Sequence, residues 1–164
     1  MADELDIPTS AGSSPNIFKR IGRVFKSPED ILFAVQIGLF IFRLPTAMQK
    51  QDLPSLLKKF QHATGPRFVD LDAGVARIVR LRQPWFRLPP LSARNTCYVR
   101  ALTLFRFLNI RNKDIKMHFG VEPPRTPGGH TRGHAWVTAD GKMLEAPDPV
   151  VAGRVKEIYV YPQP

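Results

Sequence analysis

One cysteine, Cys97, is all that the 164 residues contain. A single thiol excludes an internal disulfide framework and a cysteine-rich zinc module, so Cys97 is either a buried packing residue or a reactive thiol. Acids are scarce as well: 14 Asp and Glu stand against 24 Lys and Arg, a formal charge of +10. That imbalance attracts an acidic partner (nucleic acid, anionic membrane or acidic peptide) without choosing among them. Long hydrophobic runs are missing too. The longest, Ile31 to Leu44, is broken by Gln36 and Arg43 and falls short of the roughly 20 residues that cross a bilayer. It reads as a core helix, with an interfacial helix and weak membrane association as the alternative. The opening MADELDIPTS lacks the basic-then-apolar order of a signal peptide. Together with the lone thiol, this fits a reducing, cytoplasmic compartment.

What is present suits one globular domain, with 43% hydrophobic and 23% charged residues. Residues 1–15 are polar, with Ser, Gly and Pro, and read as a disordered tail. Residues 16–90 read as a helical N-terminal part, and 91–164 as a core that forms one compact domain with it. Ser27-Pro28-Glu29-Asp30 is a helix start that should lead to a stop before Pro45. Asp52-Leu53-Pro54 opens a second helix ending near Gly65, and Asp72 caps a third. Pro84, Pro89 and Pro90 then impose a rigid loop. Cys97, Ala101, Leu104, Phe105 and Leu108 share one face of a further helix, with Cys97 in its first turn. Beyond it the period changes to two: Ile115, Met117, Phe119 and Val121 alternate as a strand, and Asp140-Gly141 joins strands 133–139 and 142–145 as a hairpin. Glu157 to Tyr161 supplies one more strand. The fold class is therefore α+β: N-terminal helices and the Cys97 helix packed on a small antiparallel sheet.

A helix start stabilises a thiolate through its free N–H groups and positive dipole end, and the same N–H groups can receive an oxyanion. Cys97 is placed for both. His134, on a downstream strand, can serve as the base of a Cys–His pair that attacks a carbonyl and then protonates the leaving amine. Trp136 reads as core. His130 and His134 have the spacing of a helical metal pair, but glycines surround them and further ligands are lacking, so neither a metal nor a cofactor is expected. His118 alternates away from the apolar face, which makes it a second candidate base but points it toward solvent, and His62 sits near a helix end. Arg77, Arg80, Arg82 and Arg87 form a solvated or partner-facing cluster, without the basic and aromatic stripe of a nucleic-acid reader.

The stretches Asn95-Thr-Cys-Tyr-Val-Arg-Ala-Leu-Thr-Leu, Phe119-Gly-Val and Gly133-His-Ala-Trp-Val-Thr-Ala-Asp-Gly141 resemble the transglutaminase-like, papain-related cysteine peptidases of lasso-peptide gene clusters. These B-protein leader peptidases remove the leader from a ribosomally made precursor before a cyclase closes the ring. The resemblance covers about residues 90–150. It implies Cys97 as nucleophile, His134 as general base, and as partners the precursor leader, a separate leader-binding protein and the lasso cyclase.

The family's orienting aspartate follows the hairpin, where this chain offers Asp140, Glu145 and Asp148. A two-residue Asp140-Gly141 turn pairs positions whose numbers sum to 281 and sets Glu145 opposite Trp136, on the His134 face. A three-residue turn leaves Asp148 instead. Asp140 is accounted for by the turn itself. Two other readings stand beside the peptidase: acyl transfer through the same thioester, and a non-catalytic basic binding module with Cys97 buried.

Overall fold

The computed structural model describes residues 24–62, 66–110, 113–124, 126, 128–145 and 147–162. The expected tail over 1–15 and the expected helix end near Gly65 lie outside them. Ser27 opens α1 (Pro28–Lys50), its hydroxyl accepting the Asp30 N–H at 3.3 Å. Phe33, Ala34, Ile37, Ile41 and Leu44, at helical spacing, carry its buried face. Contrary to expectation, the helix runs through Pro45. Proline has no N–H to offer the carbonyl four residues back, that of Ile41. Arg94 takes over: its Nη1 donates to Ile41 O at 3.1 Å and to Phe42 O at 2.7 Å. The continuous helix is long and apolar enough, by length and composition alone, to cross a membrane, and 33% of that apolar window is buried in the protein. The apolar run by itself stops short of this at Leu44, because a local reading ends a helix before proline.

Asp52 caps α2 (Leu53–Gln61) by accepting from Ser55 N–H at 3.0 Å. The cap of α3 (Leu71–Arg82) is Asp70, not Asp72: Asp70 accepts the Ala73 N–H at 2.7 Å, and Asp72 lies inside the first turn. Two short 3-10 turns, Trp85–Arg87 and Leu91–Arg94, make up the proline-bounded loop. Trp85 packs so closely on Gly38 that a Cβ there would lie 2.3 Å from the indole. Next comes α4 (Cys97–Phe107), capped by the Thr96 hydroxyl, which accepts from Val99 N–H at 3.3 Å. Its Leu102 and Leu104 join Ile37, Leu57 and Ile78 in one core.

A parallel pair of two-residue strands, β1 (Arg67–Phe68) and β2 (Asn109–Ile110), is too short to carry a periodic signal and was not anticipated. The main sheet has β3 (Ile115–Glu122), β4 (Arg132–Ala139), β5 (Lys142–Leu144) and β6 (Lys156–Tyr161), in the antiparallel order β5–β4–β3–β6. A single turn, α5 (Asp148–Val151), lies between β5 and β6. Met117 and Phe119 of β3, with Ala135 and Val137 of β4, join the core with the helices, and Tyr98 of α4 meets Phe119 with ring centroids 5.3 Å apart. His118, Gly120 and Glu122 share the other face with His134 and Trp136, as the register Gly120↔His134 and His118↔Trp136 requires. The architecture is the α+β arrangement expected: N-terminal helices and the Cys97 helix on a small antiparallel sheet.

Candidate active site

Cys97 is the first residue of α4 and is partly exposed. Within the first turn, Val99 N–H goes to the Thr96 hydroxyl and Arg100 N–H to the Thr96 carbonyl at 3.0 Å. That leaves the N–H groups of Cys97 and Tyr98 beside the thiol for an oxyanion. Burial raises the Tyr98 phenol above its ordinary pKa, so it stays neutral there. The Cys97 Sγ lies 3.9 Å from the carbonyl oxygen of Gly133, the residue before His134. Because β5 pairs with β4 only over Val137–Ala139, the Gly133–Trp136 stretch has no β5 neighbour, and it is to this stretch that the start of α4 comes. Among the described residues, Cys97 and His134 share no hydrogen bond. In resting enzymes, catalytic hydrogen bonds are often long and tighten only with substrate.

The acid beside His134 is one that sequence reading passed over. His134 Nε2 is 3.3 Å from Glu122 Oε2, and the Glu122 side chain is 4% exposed. A carboxylate only accepts, so in the neutral imidazole this contact assigns the hydrogen to Nε2 and leaves the lone pair on Nδ1. Nδ1 is buried with no hydrogen-bond partner among the described residues. Arg154 Nε donates to the other Glu122 oxygen at 3.2 Å. Gly120, paired with His134, permits this closure: a Cβ would lie 2.5 Å from Val155 Cγ1 and 2.8 Å from the Lys156 carbonyl. The signal for Glu122 was in the sequence. It has the parity of His118 in β3 and therefore faces away from Met117 and Phe119, whereas the family resemblance points to an acid downstream of His134.

Glu145 is placed elsewhere. The hairpin has the expected register, with Val137↔Leu144, Thr138↔Met143 and Ala139↔Lys142. Pairing ends at Leu144, however, and Glu145 takes a left-handed conformation with φ 41°, so strand parity no longer governs its side chain. Its carboxylate accepts from Arg82 Nη2, while Arg82 Nη1 donates to the Arg100 carbonyl at 3.2 Å. Arg82 is fully buried. Burial lowers its pKa, and the neighbouring Glu145 charge offsets part of the drop. Asp140 stays at the turn, where the Lys113 ammonium and then the Asp114 N–H hold its carboxyl below the usual range. Asp148 opens α5, and its side chain lies outside the described residues.

A family model described as the transglutaminase-like superfamily matches residues 32–159, a span holding the helical half, Cys97 and the whole hairpin. The chain belongs to the transglutaminase-like superfamily. No curated protein and no solved structure matches it. Within this transglutaminase-like domain two surface readings are corrected. His118 is not solvated: its Nδ1 meets Glu157 at 2.5 Å, its Nε2 meets Thr138 Oγ1 at 2.8 Å, and its ring stacks on Trp136 at 5.3 Å. The arginine cluster is largely structural, since Arg82 is buried and Arg77 and Arg80 pair with the buried Asp30 at 2.8 and 2.7 Å. Their carboxylate partners are remote in sequence, which a local reading of four arginines cannot find. His62 caps the end of α2, and His130 is exposed. Among the described residues no group of His, Cys, Asp or Glu is clustered as metal ligands would be.

Proposed function

We propose that this transglutaminase-like domain is a cysteine peptidase that removes the leader from a ribosomally made lasso-peptide precursor, with Cys97 as nucleophile, His134 as base and Glu122 as the acid that orients the histidine. One observation carries the chemistry: a helix-start thiol lies beside Gly133, the residue before a histidine held at Nε2 by a buried carboxylate, with Nδ1 unengaged among the described residues. In the forward step Nδ1 takes the thiol proton as sulfur bonds to the scissile carbonyl carbon, and the oxyanion is received by the Cys97 and Tyr98 N–H groups. The same proton goes to the departing amine as the C–N bond breaks, leaving a thioester that water hydrolyses with His134 again acting as base.

The choice of substrate rests on the resemblance of residues 95–104, 119–121 and 133–141 to lasso leader peptidases. Under this reading the protein works in the cytoplasm with a separate leader-binding protein and a cyclase. The test is cleavage of the cognate precursor, with the leader-binding protein supplied, followed by mass spectrometry. Cys97→Ala and His134→Ala should each abolish cleavage while circular dichroism stays unchanged. Full turnover by a folded Cys97→Ala protein would overturn the assignment, and a precursor joined to an added amine instead of cut would assign acyl transfer.

A further inference from the structure

At the end of α4 remote from Cys97, about 15 Å along the helix axis at 1.5 Å per residue, α1, α2 and α4 border an open cleft of about 500 Å³. Leu39, Phe40, Phe60 and Phe107 form its apolar walls, and Arg43, Lys59 and Arg106 also line it. Among the described residues no carboxylate lines it. Arg43 and Lys59 are exposed and make no ion pair among the described residues. The apolar surface does not stop at the cleft. Leu39 is 48% exposed and continues onto Val35, Leu32, Ile31 and Phe42 of the same helix, of which Leu32 is 64% exposed. Leu32, Val35, Leu39 and Phe42 follow one another at steps of three and four, with Ile31 one turn before Val35, so they form a continuous stripe along α1. A soluble surface seldom leaves such a stripe bare unless something is meant to cover it.

We propose that this cleft and stripe dock an acidic amphipathic helix of a partner protein, its apolar side chains seated against Leu39 and Phe40 and its carboxylates on Arg43 and Lys59. The chemistry of the lining selects the partner: an apolar floor rewards buried anchors at helical spacing, and an all-cationic rim with no acid rewards carboxylates and rejects basic peptides. The shape separates a helix from a lipid surface. An interfacial helix presents its apolar face outward to a flat boundary, whereas here part of the apolar surface, at Phe40, Phe60 and Phe107, lies in an open cleft between three helices that offers apolar anchors a seat beside cationic side chains. The chain's formal +10 charge strengthens the long-range attraction for the same class of partner.

A display library of randomised peptides, panned on the folded full-length protein, tests this. Enriched peptides should carry apolar residues three and four apart with Glu or Asp between them. Their binding, read by fluorescence anisotropy, should weaken as salt rises. The double variant Arg43→Glu with Lys59→Glu, and separately Leu39→Asp, should each weaken binding at least about tenfold without lowering the melting temperature. Should the double variant melt early, Lys59→Gln alone at the exposed end of α2 makes the comparison. Enrichment of peptides without acids, no enrichment at all, or affinities indifferent to these substitutions would overturn the proposal. So would tight sedimentation with phosphatidylcholine–phosphatidylglycerol vesicles that Leu39→Asp abolishes, because the face would then be a membrane surface.

Discussion

At the residue scale, Glu122 and Glu145 make opposite predictions from similar chemistry. Glu122 touches the imidazole, so under the proposed mechanism its charge matters most when His134 becomes imidazolium and least when substrate merely binds. Glu122→Gln should therefore lower the single-turnover cleavage rate at least about tenfold, about 1.4 kcal/mol of transition-state stabilisation, with little change in precursor affinity. Glu145 touches Arg82, and Glu145→Gln removes the carboxylate from a fully buried guanidinium. The side chain of Glu145 is itself partly exposed, so the expected cost is about 2–3 kcal/mol of stability, seen as an earlier thermal melt of an enzyme that still turns over. A catalytic loss confined to Glu145→Gln would return the orienting role to that residue. The helix-start position of Cys97, the strand position of His134 and the register of the hairpin were legible in the sequence because each depends on local spacing. Glu145 was misplaced because one left-handed residue at the end of β5 breaks parity, and no alternation pattern announces such a residue.

At the element scale, the continuity of α1 is a long-range property. Sequence reading ended the helix at Pro45 by a sound local rule, and the rule was defeated by Arg94, some fifty residues away, which supplies the donor that proline lacks. Arg94→Ala should then cost about 1–3 kcal/mol, since two helix carbonyls lose a charge-assisted partner. Pro45→Ala restores an N–H for Ile41, so the two substitutions should couple. Arg94→Ala should cost measurably less in a Pro45→Ala background, a double-mutant cycle readable in urea melts. Strict additivity would show that the guanidinium contributes through its packing on Phe42, 5.5 Å from the ring centroid, and not as a substitute donor. Similar long-range ties explain why the elements could be listed from sequence while their joints could not. Arg82 fastens the first turn of the Cys97 helix to the exit of the His134 hairpin, and both partners lie far from it along the chain.

At the scale of the whole molecule, α1 is held to α3 by a buried charge whose protonation should set the acid limit of the fold. Burial alone would raise the Asp30 carboxyl. The Lys26 N–H, the Arg77 hydrogen bond and the Arg80 and Arg77 charges outweigh it, and the net result lies below the ordinary value of 3.8. With the folded value depressed, the unfolded chain binds more protons between the two values, so stability rises with pH across that window. The contribution of Asp30 is thus complete above the unfolded value and is lost as pH falls through the folded one. Asp30→Asn at neutral pH strips both guanidiniums of their carboxylate. These side chains are only 28% and 26% exposed, so a cost of roughly 2–3 kcal/mol is expected, or a fall of roughly 4–12 °C in melting temperature. Comparing the variant with the wild type isolates this residue, because Asp52 and Asp140 are also depressed but titrate identically in both proteins. The gap between the two melting temperatures should be constant from neutral pH down to about the ordinary carboxylate value and then narrow. A gap that persists undiminished in strong acid would mean that the variant fails through lost packing around Asp30, and that the carboxylate charge does not hold the two helices together.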